Sequence, residues 1–560
     1  MSDLDLLLDN ATVITLDRAS HVAEAIQVRN GVIVAVGESA ALAHNVPPAT
    51  RRIDLGGKTV VPGFCDAHPH MDREGLRARG GIPIGGLRSI ADIAAVVARA
   101  VRSVPPDEWI ILMPLGNPPH DYFSRPDQIT EGRFPNRYDL DAVAPNNPVY
   151  IRSVWGYWSV RPFPSVANSM ALKRVGITRT TTPPHNVEIL HDTQGEPTGV
   201  FLERNYAPIL EYTLFRELPR FTQDDRVESA RLGVKAYNAV GTTAAYEGHG
   251  LSPALIRAYR EIHHRGELTI RTHTPLSVPS AVFADGALVD LFYHYAGVAS
   301  DHGVGDDMFR FEGINLGGRA DPDLAAIVAS GYPYEQWAGH FYQAMDPARF
   351  VHLGIEAARL GLRVNCLASR DLDYTLSGYE AIDREVPIKD RRWVVIHVNE
   401  ATPEQLRRMR RLGVIATAIP GFIYLAGDRY GIDQLRERGV PLRNLLDSGV
   451  PIALGTDGVP ISMLWTMWEA LKRWHAASGT SLGDSRLSRE EALRMSVQTG
   501  HRLTWSEDQR GSLEVGKQAD LVVLDENPLT CPLDNIKDLT VELTMVAGKV
   551  VYQKSEPGTQ

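Results

Sequence analysis

Short apolar runs separated by turn residues occupy both ends of the chain. Runs of this length, broken by Asn-Gly and Gly-Gly turn signals, are typical of β-strands and hairpins. The runs are Leu6–Leu8, Thr12–Leu16, Ala25–Arg29, Gly31–Val36 and Lys58–Val61 at one end, and Ala519–Asp525, Val541–Val546 and Lys549–Tyr552 at the other. The pattern predicts one small composite β-sandwich domain formed by both termini, from residues 1–61 and 506–560.

The middle of the chain, residues 62–505, alternates strand-like apolar runs with helix-like segments. This alternation is typical of a parallel α/β architecture. The strand candidates are Trp109–Met113, Pro148–Ile151, Thr242–Tyr246, Leu268–Thr272, Arg363–Leu367, Trp393–His397, Val414–Ala418 and Pro451–Leu454. The helix candidates include Ile90–Val104, Asp225–Val240, Pro347–Leu360 and Pro403–Leu412.

Residues 114–215 fit this alternation poorly, because they are rich in Pro, Asn, Thr and aromatic residues. We predict an insertion near the functional site, with a looping lid as the alternative. Trp155, Tyr157 and Trp158 form its densest aromatic cluster. Such a cluster would suit a pocket for an apolar or aromatic substrate. Core packing of an irregular segment is the other interpretation.

Composition and charge narrow the range of partners. The chain has 560 residues, of which 44% are hydrophobic and 22% charged, as is ordinary for a globular enzyme. A net charge of −10 repels phosphate backbones, so we expect no nucleic-acid partner. The three cysteines, Cys65, Cys366 and Cys531, form no disulfide framework. Without a signal peptide or a membrane span, we expect a cytoplasmic protein with a small-molecule substrate; a homo-oligomer is possible.

Two histidines close an apolar run near the start of the middle region, in Val60-Val-Pro-Gly-Phe-Cys-Asp-Ala-His68-Pro-His70. At positions i and i+2 of a strand, both imidazoles lie on the same side. Imidazole is the commonest metal ligand in proteins. The spacing therefore predicts that His68 and His70 bind a divalent metal.

This run resembles the opening motif of the amidohydrolase superfamily, and most closely that of the amidohydrolase-3 group that includes N-substituted formamide deformylases. Similar matches occur at Gly195–Val200, Gly241–Thr243 and Gly511–Asp525, so the resemblance covers nearly the whole chain. It implies a (β/α)8 TIM-like barrel over residues 62–505 that carries the composite β-sandwich. It also implies hydrolysis of a C–N bond by metal-activated water.

The resemblance assigns roles to two further residues. Asp457, in Pro451-Ile-Ala-Leu-Gly-Thr-Asp-Gly, matches the residue that binds metal and takes the proton of the attacking water. His397, which ends Trp393–His397, matches a metal ligand or oxyanion-stabilising residue. The alternatives are a turn aspartate and a buried, hydrogen-bonded histidine.

Two positions depart from the pattern of this family. Met308 stands where relatives have a lysine that is carboxylated to bridge two metals, and Asn365 stands where they have a histidine. A thioether cannot be carboxylated, and an amide is a poor ligand for a transition metal. We therefore expect one divalent metal, with zinc favoured over iron or manganese, rather than two.

Three residues are candidates to complete a site with a single metal: Glu247, His249 and Glu312. Glu312 and Asn365 are also candidates for the substrate pocket.

The leading hypothesis is a hydrolase that cleaves an amide, cyclic amide, N-acyl or N-formyl bond in a small apolar or aromatic molecule. Fold alone does not determine chemistry. The altered ligands leave room for C–C or C–O chemistry, as in a decarboxylase, a lyase, or an ester or lactone hydrolase. The third alternative is a non-catalytic barrel that serves as a scaffold.

Overall fold

The core of the molecule is a barrel of eight parallel strands. The computed structural model describes residues 5–48, 50–117, 121–122, 125–153, 161–205, 209–319, 325, 336–368, 371–425 and 431–555. The barrel strands β1 to β8 are Phe64–Asp66, Thr242–Tyr246, Arg271–Ser277, Phe309–Asn315, Val364–Leu367, Val394–Ile396, Ile415–Ala418 and Ile452–Leu454. Each strand pairs with the next in chain order. The backbone N–H of Ala67 donates to the carbonyl of Leu454 at 3.0 Å, so that β8 returns to β1 and the barrel is nearly closed.

Helices alternate with the barrel strands and pack around them. This arrangement follows from the parallel sheet, because each crossover between parallel strands needs a connection of helical length. The helices of the described residues, which include those beside the terminal and five-stranded sheets, are Ser39–Asn45, Met71–Arg79, Ile90–Ala100, Arg137–Asp141, Ser169–Arg174, Ile209–Tyr212, Gln223–Ala239, Pro253–His264, Asp285–Ala299, Pro347–Arg359, Leu372–Glu385, Pro403–Leu412, Gly421–Leu425, Ile432–Arg438, Leu442–Ser448, Met463–Lys472 and Arg489–Leu503.

The chain passes from the terminal sheets into the barrel at Gly63. Thr59–Pro62 pairs antiparallel with Leu521–Leu524, whereas β1 begins at Phe64. A Cβ on Gly63 would lie 2.1 Å from Oγ1 of Thr243, so a side chain has no room at this crossing. The apolar run before His68, which reads as one strand in the sequence, is thus divided between two sheets.

Two sheets join strands from the ends of the chain. The six-stranded sheet contains, in order, Lys549–Gln553, Val541–Val546, Leu521–Leu524, Thr59–Pro62, Thr12–Ile14 and Val22–Ala23. The four-stranded sheet contains Val32–Gly37, Ala25–Arg29, Leu6–Asp9 and Arg51–Asp54. One hydrophobic cluster, with Leu8, Ile26, Val60 and Leu521 among its members, contains side chains from both sheets.

A separate five-stranded sheet lies between β1 and β2 in the sequence. Its strands, in order, are Val187–His191, Pro197–Glu203, Phe163–Ala167, Val149–Ile151 and Ile110–Leu112. Both of the last two are among the strand candidates predicted for the middle region, and Val149–Ile151 lies inside the predicted insertion at residues 114–215. Neither belongs to the barrel sheet. They pair with each other in parallel, but antiparallel neighbours continue the sheet and separate it from the barrel.

The described residues also contain two short hairpins and one small strand. Gly116–Asn117 pairs with Asp121–Tyr122, Trp474–His475 pairs with Thr480–Ser481, and Val304–Gly305 pairs with β4. Trp155, Tyr157 and Trp158 lie outside the described residues. Among the helices that are described, none is both long and apolar enough to cross a membrane.

The burial of Glu203 in the five-stranded sheet can be tested through the pH dependence of stability. Its side chain is fully buried, and burial raises its pKa from 4.5 to about 8. The folded state therefore holds this proton more tightly than the unfolded state. The free energy of unfolding should fall as the pH rises from about 4.5 to about 8, by a few kcal/mol in order of magnitude.

We expect Glu203→Gln to raise the midpoint of thermal unfolding at pH 8.5 and to change it little at pH 5. Glutamine cannot ionise and resembles the protonated glutamic acid in shape. The exposed Glu217, replaced by glutamine, serves as the matched control. If Glu203→Gln shifted the midpoint of thermal unfolding by the same amount at pH 5 and at pH 8.5, the result would contradict this account.

Candidate metal centre

Asp66, the last residue of β1, ties β1 to the chain that follows β8. Its Oδ1 accepts hydrogen bonds from the backbone N–H groups of His68 at 2.9 Å and Thr456 at 3.1 Å. Its Oδ2 accepts from the Thr456 hydroxyl at 2.6 Å. The backbone N–H of Asp457 donates to the His68 carbonyl at 2.8 Å. His68 and Asp457 are therefore held side by side, although they come from opposite ends of the barrel sequence.

Four imidazoles surround this junction. The ring centroid of His68 lies 4.5 Å from that of His70, 4.6 Å from that of His249 and 4.4 Å from that of His397, each in an edge-to-face arrangement. All four residues follow barrel strands: His68 and His70 follow β1, His249 follows β2 and His397 follows β6. The carboxyl ends of parallel barrel strands open onto one face, which explains how residues so distant in sequence meet.

Potential ligand atoms form two overlapping groups. His68, His70 and His249 make one, and His68, His397 and Asp457 make the other, each with its ligand atoms within 4.8 Å of one another. Oδ1 of Asp457 lies 3.1 Å from Nε2 of His70 and 3.8 Å from Nε2 of His68. Burial raises the pKa of Asp457 to about 7.

The hydrogen bonding of these rings fits a metal ion. Both ring nitrogens of His68 and Nε2 of His70 are buried, and none has a hydrogen-bond partner among the described residues. Buried polar atoms without partners are costly, so such a set points to a ligand. Burial lowers the pKa of His68, His70 and His249 well below the usual value, which keeps the imidazoles in the neutral form that binds metals. Nitrogen and carboxylate ligands of this kind suit zinc.

Glu247 lies behind His70 rather than in either ligand group. Its Oε1 is 2.6 Å from Nδ1 of His70, and its Oε2 accepts from the His70 backbone N–H at 3.1 Å. A carboxylate in this position fixes the orientation of an imidazole and increases its basicity. Of the three candidates to complete the site, His249 is the one that joins a ligand group.

Glu312 and Asn365 are fully buried inside the barrel and lie outside both ligand groups. Glu312 lies 3.0 Å from Nδ1 of His273 and 3.4 Å from Nη2 of Arg363. Oδ1 of Asn365 accepts from the Tyr246 hydroxyl at 2.9 Å. These contacts engage both side chains with other protein groups.

Met308 precedes β4, and its sulfur lies 3.6 Å from Nη1 of Arg271. Met308 thus lies at the start of β4, whereas the two ligand groups lie where β1, β2, β6 and β8 end.

Two glycines make room for His68. A Cβ on Gly248 would lie 2.6 Å from Nδ1 of His68, and a Cβ on Gly455 would lie 2.7 Å from Cβ of His68. Neither glycine has a positive φ, so the constraint at both positions is steric. His68 is thus wedged between the ends of β2 and β8.

His340 and Arg73 are parts of the site that the sequence analysis missed. The ring of His340 stacks on that of His249, with centroids 4.5 Å apart. Arg73 donates from Nη2 to the carbonyl of Ala338 at 3.1 Å. No strand-like run leads into His340, so periodicity gave no signal there. Arg73 could have been found from its position in the sequence, because it lies three residues after His70.

Residues 51–552 match the model of the amidohydrolase family. The chain belongs to this family. It is 28% identical to N-substituted formamide deformylase from Arthrobacter pascens, over 98% of this chain and 99% of the relative.

Solved structures share the fold of this amidohydrolase. A metal-dependent hydrolase from Pyrococcus horikoshii has a TM-score of 0.67 at 20% identity, covering 94% of this chain and 99% of its own. An adenosine deaminase from Xanthomonas campestris, solved with bound zinc, has a TM-score of 0.54 at 16% identity, covering 98% and 92%. The protein is a hydrolase of carbon–nitrogen bonds other than peptide bonds.

Gly248→Ala should weaken metal binding by about 10- to 100-fold, the range found when groups that orient metal ligands are altered. The new methyl group would displace His68 from its place beside Asp457. Metal retained after dialysis, measured by elemental analysis, reports the effect. Gly286→Ala, where the methyl group would meet nothing within 4 Å, is the matched control. Equal metal retention in both variants would show that Gly248 does not position His68.

Proposed function

We propose that this amidohydrolase uses one divalent metal, zinc, to hydrolyse an amide, cyclic amide, N-acyl or N-formyl bond of a small apolar or aromatic substrate. The observation that carries the proposal is the set of unpartnered, buried nitrogens of His68 and His70 facing Asp457. The formamide deformylase among the relatives and the zinc in the structurally similar deaminase support the bond type and the metal.

The ligands that fit the metal are His68, His70, His249, His397 and Asp457. Both ligand groups contain His68, and this overlap supports one ion bound beside that ring. When bound, the metal would lower the pKa of water and polarise the carbonyl of the substrate.

Asp457 is the proposed general base. Its Oδ1 lies beside the Nε2 atoms of His68 and His70, where the attacking water must approach. Asp457 accepts the proton of that water and delivers it to the leaving nitrogen. His397 is the proposed second catalytic residue, as a metal ligand or as a donor to the oxyanion. Glu247 keeps His70 in its orientation through its two contacts.

Aromatic rings extend from the metal centre towards the five-stranded sheet. The ring centroid of Tyr342 lies 5.3 Å from that of His340, and the ring centroid of Tyr212 lies 6.4 Å from that of Tyr342. Tyr212 is fully buried in the hydrophobic cluster next to this sheet, and Tyr342 packs against that cluster. Tyr342, the ring nearer to His340, supports an apolar or aromatic substrate, the class that the cluster at residues 155–158 suggested from the sequence.

We further propose that the two terminal sheets form one composite β-sandwich domain with the predicted boundaries, on the basis of their shared hydrophobic cluster. The cytoplasmic location and the homo-oligomer remain predictions.

The metal and the base can be tested separately. We expect about one zinc per chain, lost in the double variant His68→Ala/His70→Ala, together with hydrolysis of N-phenethylformamide by the wild type. Asp457→Asn should lower kcat by about 10²- to 10⁴-fold, since it removes the proton acceptor. His264→Ala, at an exposed histidine, is the control.

Two metals per chain would overturn the mononuclear assignment. No metal after reconstitution with zinc, iron or manganese would favour the scaffold. Stoichiometric metal without hydrolysis of any amide would favour C–C or C–O chemistry.

A further inference from the structure

Helix Asp285–Ala299, between β3 and β4, is largely apolar on both of its faces. Its sequence reads Asp-Gly-Ala-Leu-Val-Asp-Leu-Phe-Tyr-His-Tyr-Ala-Gly-Val-Ala. Leu288, Phe292 and Ala299 are buried in a hydrophobic cluster that includes residues of β3 and β4. One apolar face is enough to pack a helix onto a core. The apolar residues on the other face therefore need a separate explanation.

The solvent side of this helix forms one continuous strip, which we call the outer strip. Its exposed residues are Gly286, Ala287, Asp290, Tyr293, His294, Gly297 and Val298. With 3.6 residues per turn, these positions cover a single arc of about 140°. Tyr293 is 70% exposed and Val298 is 41% exposed, and the segment just before the helix adds the exposed Val282 and Phe283. Exposed apolar side chains that adjoin one another in this way mark an interaction site.

The outer strip carries very little charge. In this helix, every residue of which is described, Asp290 is the one exposed residue with a formal charge. Helix Pro403–Leu412, by contrast, exposes Glu404, Arg407, Arg410 and Arg411. Charged and polar residues normally cover the solvent face of a surface helix. The outer strip thus differs from an ordinary solvated face of the same protein.

The N-terminal end of the strip is fixed by Arg349. Its Nε donates to Oδ1 of Asp285 at 2.6 Å, and its Nη2 donates to the carbonyl of Phe283 at 3.0 Å. Arg349 lies on the neighbouring helix Pro347–Arg359, so the start of helix Asp285–Ala299 is tied to the next helix along the chain. A surface that is already ordered loses little conformational entropy when it is covered.

Asp290 and His294 make the outer strip complementary to itself. Neither side chain has a hydrogen bond or an ion pair within the part of the chain that the structure describes. When two copies of the helix lie antiparallel about a two-fold axis near residue 292, Asp290 of each copy faces His294 of the other. An imidazole N–H can donate to a carboxylate whether the ring is neutral or protonated. An interface between identical subunits needs a patch of this self-complementary kind.

We propose that the outer strip is the surface through which two copies of this chain form a dimer with two-fold symmetry. The Asp290–His294 contact then occurs twice, on either side of the axis. The same register places Ala287 opposite Gly297 of the second copy. A Cβ on Gly297 would meet nothing within 4 Å in its own chain, so the second helix has room to approach closely.

The antiparallel arrangement also joins the apolar ends of the two helices. The N-terminal end of one helix lies beside the C-terminal end of the other, so Val282 and Phe283 of one copy come near Val298 of the second. Removing these apolar side chains from water stabilises the pair.

Two variants with exchanged charges test the contact at the axis. Asp290→Arg removes the acceptor for His294, and His294→Glu places two carboxylates opposite each other. We expect each variant alone to raise the dissociation constant of the dimer at least about 10-fold. An equimolar mixture of the two variants should recover dimers, because the new arginine then faces the new glutamate while the unchanged His294 faces the unchanged Asp290. Sedimentation equilibrium of the zinc-loaded full chain measures the mass.

Ala287→Arg tests the close approach of the two helices and should also dissociate the dimer. Ala95→Arg, at an exposed alanine of helix Ile90–Ala100, is the matched control and should leave the dimer intact. If a charge variant fails to fold, this second pair decides the matter.

Three results would each overturn the proposal. The first is a monomeric wild type. The second is an assembly whose mass is the same in the wild type, Asp290→Arg, His294→Glu and Ala287→Arg. The third is a mixture of the two charge variants that stays monomeric although each of them is folded.

Discussion

The hydrogen bonds from His68 and Thr456 to the carboxylate of Asp66 are the constraint on which the metal centre depends. An ionised carboxylate accepts several hydrogen bonds at once, and Asp66 receives three from donors that follow β1 and β8. Burial raises its pKa to about 6, so the bonds offset a real desolvation cost. They bring the last strand to the first and, in the same place, set His68 beside Asp457. Closing the barrel and assembling the site are therefore one structural event.

The interior of the barrel is more polar than the layers of branched aliphatic residues that usually fill such barrels. Arg363 donates to the Leu503 carbonyl and to the Tyr246 hydroxyl, each at 2.7 Å, and lies near Glu312. Buried ion pairs add little net stability, but breaking one by removing a partner is strongly destabilising. Glu312 and Asn365 have thus become parts of an internal network that links β2, β4 and β5. Both side chains therefore hold the interior of the barrel together.

The sequence predicted the parts of the site that follow regular strands. His68, His70, His397 and Asp457 each come after an apolar run, and these runs are close to the observed β1, β6 and β8. His340 could not be found in this way, because a loop brings it to His249 and loops have no periodicity. The strands at residues 110–112 and 149–151 could not be distinguished from barrel strands by sequence, since apolar runs of this length look alike in any α/β region. Only the pairing with Phe163–Ala167 distinguishes them, and that depends on contacts distant in sequence.

The length of chain between β1 and β8 has a consequence for how the protein is made. Asp66 and Thr456, which close the barrel, are 390 residues apart. A ribosome adds about 5–20 residues each second, so β1 would wait on the order of tens of seconds for β8 to emerge. During that interval the five-stranded sheet has all its strands, but the two histidines after β1 lack Asp457. The metal ion would therefore be acquired late, by a nearly complete chain.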